Sequence, residues 1–489
     1  MQACMRYEEA YPSEKLWSLW QIVLLNQFHD ILPGSSIGAV YDDSDRDYAR
    51  FFAEAEVLKL ELGGGLAGRG QHFLFNAIAT PRTGLVALPQ GVTGLVDGST
   101  EVAAQRIVRA DGTTLYVAPV TDVAALGGRS VVLLADGPEA AGESELSVSA
   151  THLENALLRV ELDGRGRIVS LTDKRNGREA IEPGRAANAL FAHQDIPLDF
   201  DAWDIDASFE DKVWPVDNLL SAEVVETGPY RAALRLNWRY EHSTITQVLA
   251  LEAGSARLDI DCFADWHEHQ TLLKAAFPLA IRSDSVTAEI QFGHVARPTH
   301  RNTSWDQARF ETPMHRWVDF SEADFGVALL NDCKYGYDAH AKVLRLTLIK
   351  SPVFPWPEAD QGEHRFRYAL FLHAGDLQAV HDEAEAFNLP LRLVEGSADA
   401  LSTPLSLVEI VGQGVSVEAV KRAEDSDAIV LRLWETQGRR QSVTLRFAER
   451  WQVREANLLE QPLTTLAGNT DALDLSFAPF QIRTLLLEQ

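Results

Sequence analysis

From His72 onward the chain is interrupted by Gly, Pro, Asn or Asp roughly every 8 to 15 residues, and the segments between are short, β-branched and aromatic. Phe73-Leu-Phe, Thr114-Leu-Tyr-Val, Ser130-Val-Val-Leu-Leu and Ala232-Ala-Leu-Arg-Leu-Asn-Trp have this character. So do Val343-Leu-Arg-Leu-Thr-Leu-Ile and Ala428-Ile-Val-Leu-Arg-Leu-Trp. Few long helical patterns interrupt them, Gly375–Phe387 being the exception. Regular short strands over such a length predict antiparallel β-sandwiches packed in series.

The first sixty-odd residues read differently. Ser13, after Pro12, is a candidate N-cap. Leu16, Trp17, Leu19, Trp20, Val23, Leu24 and Leu25 cover most of a helix circumference, which predicts a buried helix. That helix is expected to run into His29-Asp30 and stop at Pro33-Gly34. A second helix is expected from about Asp42–Ser44, with Tyr48, Phe51, Phe52, Ala55 and Leu58 at helical spacing, ending at Gly63-Gly64-Gly65. Two helices are too small a unit to stand alone. Small and polar residues mark seams near Gly137–Glu145 and Glu395–Thr403. These divide the chain into a helical segment (1–65), a small β domain (66–145), a large β-sandwich (146–398) and a C-terminal β domain (399–489).

With 44 basic and 71 acidic residues the net charge is −27, spread without a long acidic run. Such a surface repels phosphate backbones and anionic lipid, so nucleic acid and membrane are not expected partners. Neutral substrates such as sugars are compatible with it. The three cysteines, Cys4, Cys262 and Cys333, are far apart and odd in number, which argues against a disulfide framework and for a reducing compartment, hence a cytoplasmic protein. No window approaches the roughly 18 apolar residues of a membrane span, and no signal-peptide pattern is present.

Three constellations offer chemistry. At the end of the first helix, His29 could give a neutral imidazole to a Zn²⁺-type cation, with Asp30 about 100° away round the helix, free to orient a ligand or substrate hydroxyl. The plainer explanation is a histidine capping a helix C-terminus and an aspartate starting the turn. Tetrahedral zinc needs three or four protein ligands, and only His193 with Asp195, or His267 with His269, stand out as further donors. The second is Asp199-Phe-Asp201-Ala-Trp203-Asp204-Ile-Asp206, where carboxylates can accept sugar hydroxyls and an indole can stack on a pyranose ring. A solvated acidic loop with Trp203 tucked beneath it explains the same residues. The third comprises His300-Arg-Asn-Thr-Ser-Trp305-Asp306 and Asn331-Asp332-Cys333-Lys334-Tyr335-Gly-Tyr337, polar-aromatic loops better explained as turn networks. No nucleophile elbow, phosphate-cradling loop or dinucleotide fingerprint is present.

The stretch Leu24-Leu-Asn-Gln-Phe-His29-Asp30-Ile-Leu-Pro-Gly-Ser-Ser resembles the helix motif of glycoside hydrolase family 38, the retaining α-mannosidases, in the branch shared by bacterial and cytosolic enzymes. The resemblance extends over nearly the whole chain, through Ser170-Leu-Thr-Asp-Lys, Asp201-Ala-Trp-Asp-Ile-Asp, Asp265-Trp-His-Glu and Arg301-Asn-Thr-Ser-Trp. It continues through Asn331-Asp-Cys-Lys-Tyr-Gly-Tyr, Ala359-Asp-Gln-Gly-Glu-His, Ala419-Val-Lys-Arg-Ala-Glu and Pro479-Phe-Gln-Ile-Arg-Thr. It implies a mainly β fold: the end of a three-helix domain followed by antiparallel sandwiches of the supersandwich type. It also implies a catalytic Zn²⁺, with Co²⁺ as an alternative, for which His29 is the ligand given by the helical segment. Asp30 is then expected to approach the bound mannose, with Trp203 and Asp204 as substrate contacts.

The family's remaining zinc ligands, nucleophile and acid/base carboxylate belong to a catalytic barrel that this sequence lacks. The chain is therefore expected to be the C-terminal part of an enzyme acting on mannose-containing oligosaccharides, inactive alone and dependent on a barrel from the intact or a separately encoded protein. The first sixty residues are expected to be poorly held or to self-associate. The alternatives are a non-enzymatic carbohydrate-binding or scaffolding sandwich and, more weakly, a self-sufficient hydrolase or lyase using the acids near Trp203.

Overall fold

The structure, a computed structural model, describes residues 11–137, 140–142, 144–396 and 405–489. Cys4 and parts of both expected seams lie outside these residues. The chain is mainly β, with antiparallel pairing between consecutive and returning strands. Among the described residues two helices come first, α1 (Ser13–Asn26) and α2 (Gly38–Gly64). Two more lie within the β region, α3 (Ser304–Ala308) and α4 (Leu377–Asn388).

The largest body is a sandwich. Its nine-stranded sheet runs in the order Leu219–Thr227, Arg231–Tyr240, Ser243–Glu252, Arg257–Trp266, Gly362–His373, Gly326–Asn331, Trp317–Ser321, Ser285–Ile290 and Gly293–Pro298. Arg257–Trp266 alternates half-exposed and buried positions without a break, as a strand with one face in a core should. That face (Leu258, Ile260, Cys262, Ala264, Trp266) meets residues from two smaller sheets, among them Leu158, Ile168, Leu273 and Leu346. The other face is covered by α4 through Val380, Ala384 and Phe387. Asp376 caps α4, accepting from Gln378 N at 2.9 Å.

A smaller β unit holds His72–Asn76, Arg82–Leu88 and the strands up to Gly127–Leu134 around Leu74, Val86, Leu95 and Val131. After α4 the chain returns to it: Arg392–Glu395 pairs with His72–Asn76 and forms the edge of that sheet. A last six-stranded sheet, with a long hairpin of Gln441–Ala456 and Pro462–Phe477, has its own core around Leu431, Leu445 and Val453.

The helical expectations need correction. Ser13 is the first helical residue and makes no cap; Pro12 occupies the cap position. The second helix starts at Gly38, about one turn before the expected residues, and ends at Gly64 as anticipated. α1 is not buried all round: Leu19 and Ile22 are covered, while Trp17, Trp20, Leu24 and Leu25 are more than half exposed. Among the described residues it leans on α2, through Lys15–Glu61 at 2.8 Å and Asn26 Nδ2 to Asp47 Oδ2 at 3.2 Å. α2 itself packs closely on the returning strand, where a Cβ on Gly63 would fall inside Val394.

Candidate functional site

α1 stops at Asn26, seven residues before Pro33. The Asn26 side chain bonds Ile22 O (3.0 Å) and Asp47, and Gln27 N closes the last turn on Val23 O at 3.1 Å. His29 and Asp30 therefore sit in a run of tight turns, with Leu32 N on Phe28 O and Gly34 N on Ile31 O, each at 3.1 Å. Gly34 takes a left-handed φ of 83° that a side chain would resist. The expected divergence of the two side chains round a helix does not occur. His29 Nε2 and Asp30 Oδ2 lie 3.1 Å apart, with His29 78% exposed and Asp30 38% exposed. The Asp30 carbonyl accepts from Ser36 Oγ (2.8 Å) and Tyr41 OH (3.3 Å), which fix the turn against the start of α2.

The acidic loop reaches this turn from the large sandwich. Asp201 accepts from Val353 N (2.8 Å) and Phe354 N (3.1 Å), and Asp206 accepts from Leu198 N (3.0 Å). Inside the loop Phe200 O accepts from Trp203 N and Asp204 N. Loop carboxylates spent on backbone N–H groups make a rigid presenter, and what they present is Trp203. Its Nε1–H donates to Asp30 Oδ1 at 3.3 Å, between residues 173 positions apart. Phe200 and Phe354 flank the indole at 6.0 and 6.3 Å between ring centroids.

Three of the four expected site residues thus meet: His29, Asp30 and Trp203. Asp204 does not join them. Its Oδ1 accepts from Ile205 N (2.9 Å), and its carbonyl accepts from Lys350 Nζ (2.9 Å), which also pairs with Asp195.

Other residues at this site were not expected. Tyr41 stacks on Trp356 with centroids 5.4 Å apart and planes 18° apart. Gly38 makes room for that indole, since a Cβ there would lie 2.7 Å from Trp356 Nε1. Desolvation pushes the Tyr41 phenol up, with the nearby Asp360 and Asp30 charges adding to the effect. Desolvation also pushes the Asp360 carboxyl up to about 6, against the pull of Lys334 and Lys350. The sequence signal was Ser351-Pro-Val-Phe-Pro-Trp-Pro, whose prolines enforce an extended loop with aromatic tips.

The other candidate metal donors are engaged elsewhere. His193 is buried, its Nδ1 at 3.1 Å from Phe209 O, and burial lowers its pKa to about 4. His267 pairs with Asp265 at 2.8 Å. Among the described residues no group of three His, Cys, Asp or Glu side chains could hold a metal ion. His29 has the exposure and chemistry of one ligand, but the donors present do not complete a zinc shell. The third constellation is structural: Thr303 and Asp306 form a capping box on α3, and Asn331 bonds His315 O (2.7 Å) and Lys334 N (3.0 Å).

Three family models match the sequence: the alpha mannosidase middle domain at residues 1–61, the glycosyl hydrolases family 38 C-terminal domain at 153–358, and the family 38 C-terminal beta sandwich domain at 414–485. Alpha-mannosidase 2C1 of Homo sapiens is 35% identical over 493 residues, covering 98% of this chain and 46% of its own length. Alpha-mannosidase G of Dictyostelium discoideum is 29% identical, covering 89% of this chain and 44% of its own length. The chain thus spans about half the length of these relatives. A solved alpha-mannosidase from Enterococcus faecalis V583 superposes on 100% of this chain and 65% of its own, with a TM-score of 0.82 at 19% identity, which is a likeness of fold. Matches of middle and C-terminal domains in the same order on one chain make it a member of glycoside hydrolase family 38.

Proposed function

We propose that this chain is the C-terminal part of a zinc-dependent, retaining α-mannosidase that removes terminal α-D-mannosyl residues from glycans, and that it does not turn over substrate alone. The observation that carries the reading is the meeting of Trp203 with Asp30, one residue from the middle-domain match and one from the C-terminal-domain match. A partly exposed carboxylate, imidazole and indole within one contact network suit a pyranose, whose hydroxyls need acceptors and whose CH face needs an aromatic plane.

In this reading His29 would hold one coordination position of Zn²⁺, with Co²⁺ as the alternative ion. Asp30 accepts a mannose hydroxyl while its other oxygen keeps His29 oriented. Trp203 covers the ring and excludes water from one side, and Asp204 meets a more distant hydroxyl through its free oxygen. The metal, when bound, supplies a Lewis-acidic hold on substrate oxygens. Retaining hydrolysis requires a nucleophile and an acid/base carboxyl roughly 5–5.5 Å apart. The carboxylates of Asp201 and Asp206 are committed to backbone N–H groups, so the acidic loop is a poor source of that pair. The pair and the remaining ligands would come from a catalytic barrel, on a longer form of the same polypeptide or encoded separately. The proposed setting is cytoplasmic, with an oligomer as an option. Among the described residues no helix is long and apolar enough to cross a membrane.

The test is hydrolysis of para-nitrophenyl α-mannoside with and without added Zn²⁺. The chain alone should show none, and co-expression with a family 38 barrel should give hydrolysis that His29→Ala abolishes. Zn²⁺-dependent turnover by the chain alone would overturn the predicted inactivity. Reconstituted turnover indifferent to His29→Ala would remove His29 from the metal site.

A further inference from the structure

The loop that presents Trp203 continues past Phe209 into the edge strand Val213–Pro215, which pairs with Ala189–Gln194 so that Trp214 lies opposite Ala192. Beyond that edge is an open basin of about 480 Å³ lined by Trp214, Asp217, Asn218, Arg239, Tyr240 and Glu241. Its volume falls within the roughly 300–1,000 Å³ of small-molecule pockets. None of its lining residues belongs to the His29–Asp30–Trp203 contacts.

The basin has a rigid aromatic wall. Tyr240 lies parallel to Trp266, with centroids 6.1 Å apart and planes 6° apart. Trp266 is fully buried and anchored by its Nε1–H to Ser351 Oγ at 3.0 Å, so the Tyr240 ring cannot swing away cheaply. Trp214, on an edge strand, is 46% exposed and lines the basin. Around these rings are uncommitted polar groups. Among the described residues the Trp214 indole N–H, the Tyr240 hydroxyl, the Asn218 amide and the Glu241 carboxylate have no hydrogen-bond partner. The charges roughly cancel: Asp217 is tied to Arg165 at 2.5 Å, and Arg239 stands near Glu241, bonding its carbonyl at 3.3 Å. Exposed ring faces, several free donors and acceptors, and little net charge disfavour ions and lipids. They favour a neutral polyhydroxylated ring, with the CH face on an aromatic plane and the hydroxyls on the rim.

We propose that this basin is a second carbohydrate subsite, binding one pyranose unit of a neutral oligosaccharide separately from the Trp203 site. The choice of a mannose probe rests on the function proposed above; the basin's chemistry does not. Because it is open, binding should be weak, and its use would be to hold a branch or a distal unit of a larger glycan.

The test is calorimetric titration of the whole chain with α-linked mannotriose, followed by intrinsic tryptophan fluorescence. Saturable binding in the millimolar range is expected, weakened about ten-fold or more by Trp214→Ala and less by Asn218→Ala. Unchanged thermal midpoints for the exposed Trp214→Ala and Asn218→Ala variants exclude misfolding as the cause. Absence of saturable binding up to roughly 50 mM would overturn the proposal. So would binding that survives both basin substitutions. Binding lost in Trp203→Ala but kept in Trp214→Ala would put the sugar at the first site, supporting the proposed function while refuting this subsite.

Discussion

Asp30 makes contacts of two kinds, and the difference between them separates structure from function. Its carbonyl, held by Ser36 and Tyr41, fixes the turn; its carboxylate touches exposed His29 on one oxygen and half-exposed Trp203 on the other, which also accepts from the buried Ser35 Oγ at 3.3 Å. Exposed charged contacts contribute little, so Asp30→Ala should cost no more than about 1 kcal/mol in urea or thermal unfolding. A loss several times larger would show the carboxylate to be a structural tie and would weaken its assignment to substrate. His29-Asp30 was legible in the sequence because two ionisable residues follow an apolar helix and then Pro-Gly. The partnership with Trp203 was not, since no spacing rule links residues 173 positions apart; only the resemblance placed both near one site. The divergence of His29 and Asp30 was misread because it assumed helix through Asp30, whereas the Asn26 side chain and the Gln27 N–H end α1 earlier.

At the scale of elements, α1 is where local pattern and tertiary surroundings part most clearly. Its apolar residues cover most of the circumference, which in a complete core means burial, yet Trp17, Trp20, Leu24 and Leu25 are bare here, with Phe28 and Leu32 continuing the patch beyond the helix. The pattern encodes a surface for which α2 supplies only one side. Such a patch drives association, so the purified chain should show concentration-dependent oligomers in analytical ultracentrifugation. Trp20→Gln should reduce them without lowering the thermal midpoint, because Trp20 contributes little to this fold. A midpoint that falls with association unchanged would mean that Trp20 is a packing residue instead. α4 behaved as its sequence suggested because its apolar face and its N-terminus are both satisfied: Val380, Ala384 and Phe387 pack on the nine-stranded sheet, and Asp376 caps it.

For the whole molecule, strand alternation such as that of Arg257–Trp266 made antiparallel sandwiches legible, while sheet order was not, because pairing partners are chosen by the assembled cores. Arg392–Glu395 illustrates this: nothing in its four residues announces a partner more than three hundred positions earlier, at His72–Asn76. The same assembly buries ionisable groups where α4 meets the C-terminal sheet. His381 sits edge-on to Trp434, with centroids 5.5 Å apart, near Glu289 and Glu385, and Arg316 pairs with both acids. Burial first, and the Arg316 charge second, lower the His381 pKa to about 3, against 6.5 for the free side chain. In the unfolded chain the imidazole takes up a proton below 6.5, while in the fold it stays neutral down to about 3. Its contribution to stability is therefore complete above pH 6.5 and is lost progressively as the pH falls toward 3. Other titrating groups cancel when wild type is compared with His381→Leu. The stability of wild type relative to that variant should then fall by about 1.4 kcal/mol for each pH unit well below 6.5. Denaturant midpoints measured for both proteins between pH 7.5 and 4.5 would give that slope. A difference that stayed flat would mean that the imidazole becomes protonated within the fold, with Glu289 and Glu385 prevailing over burial and Arg316.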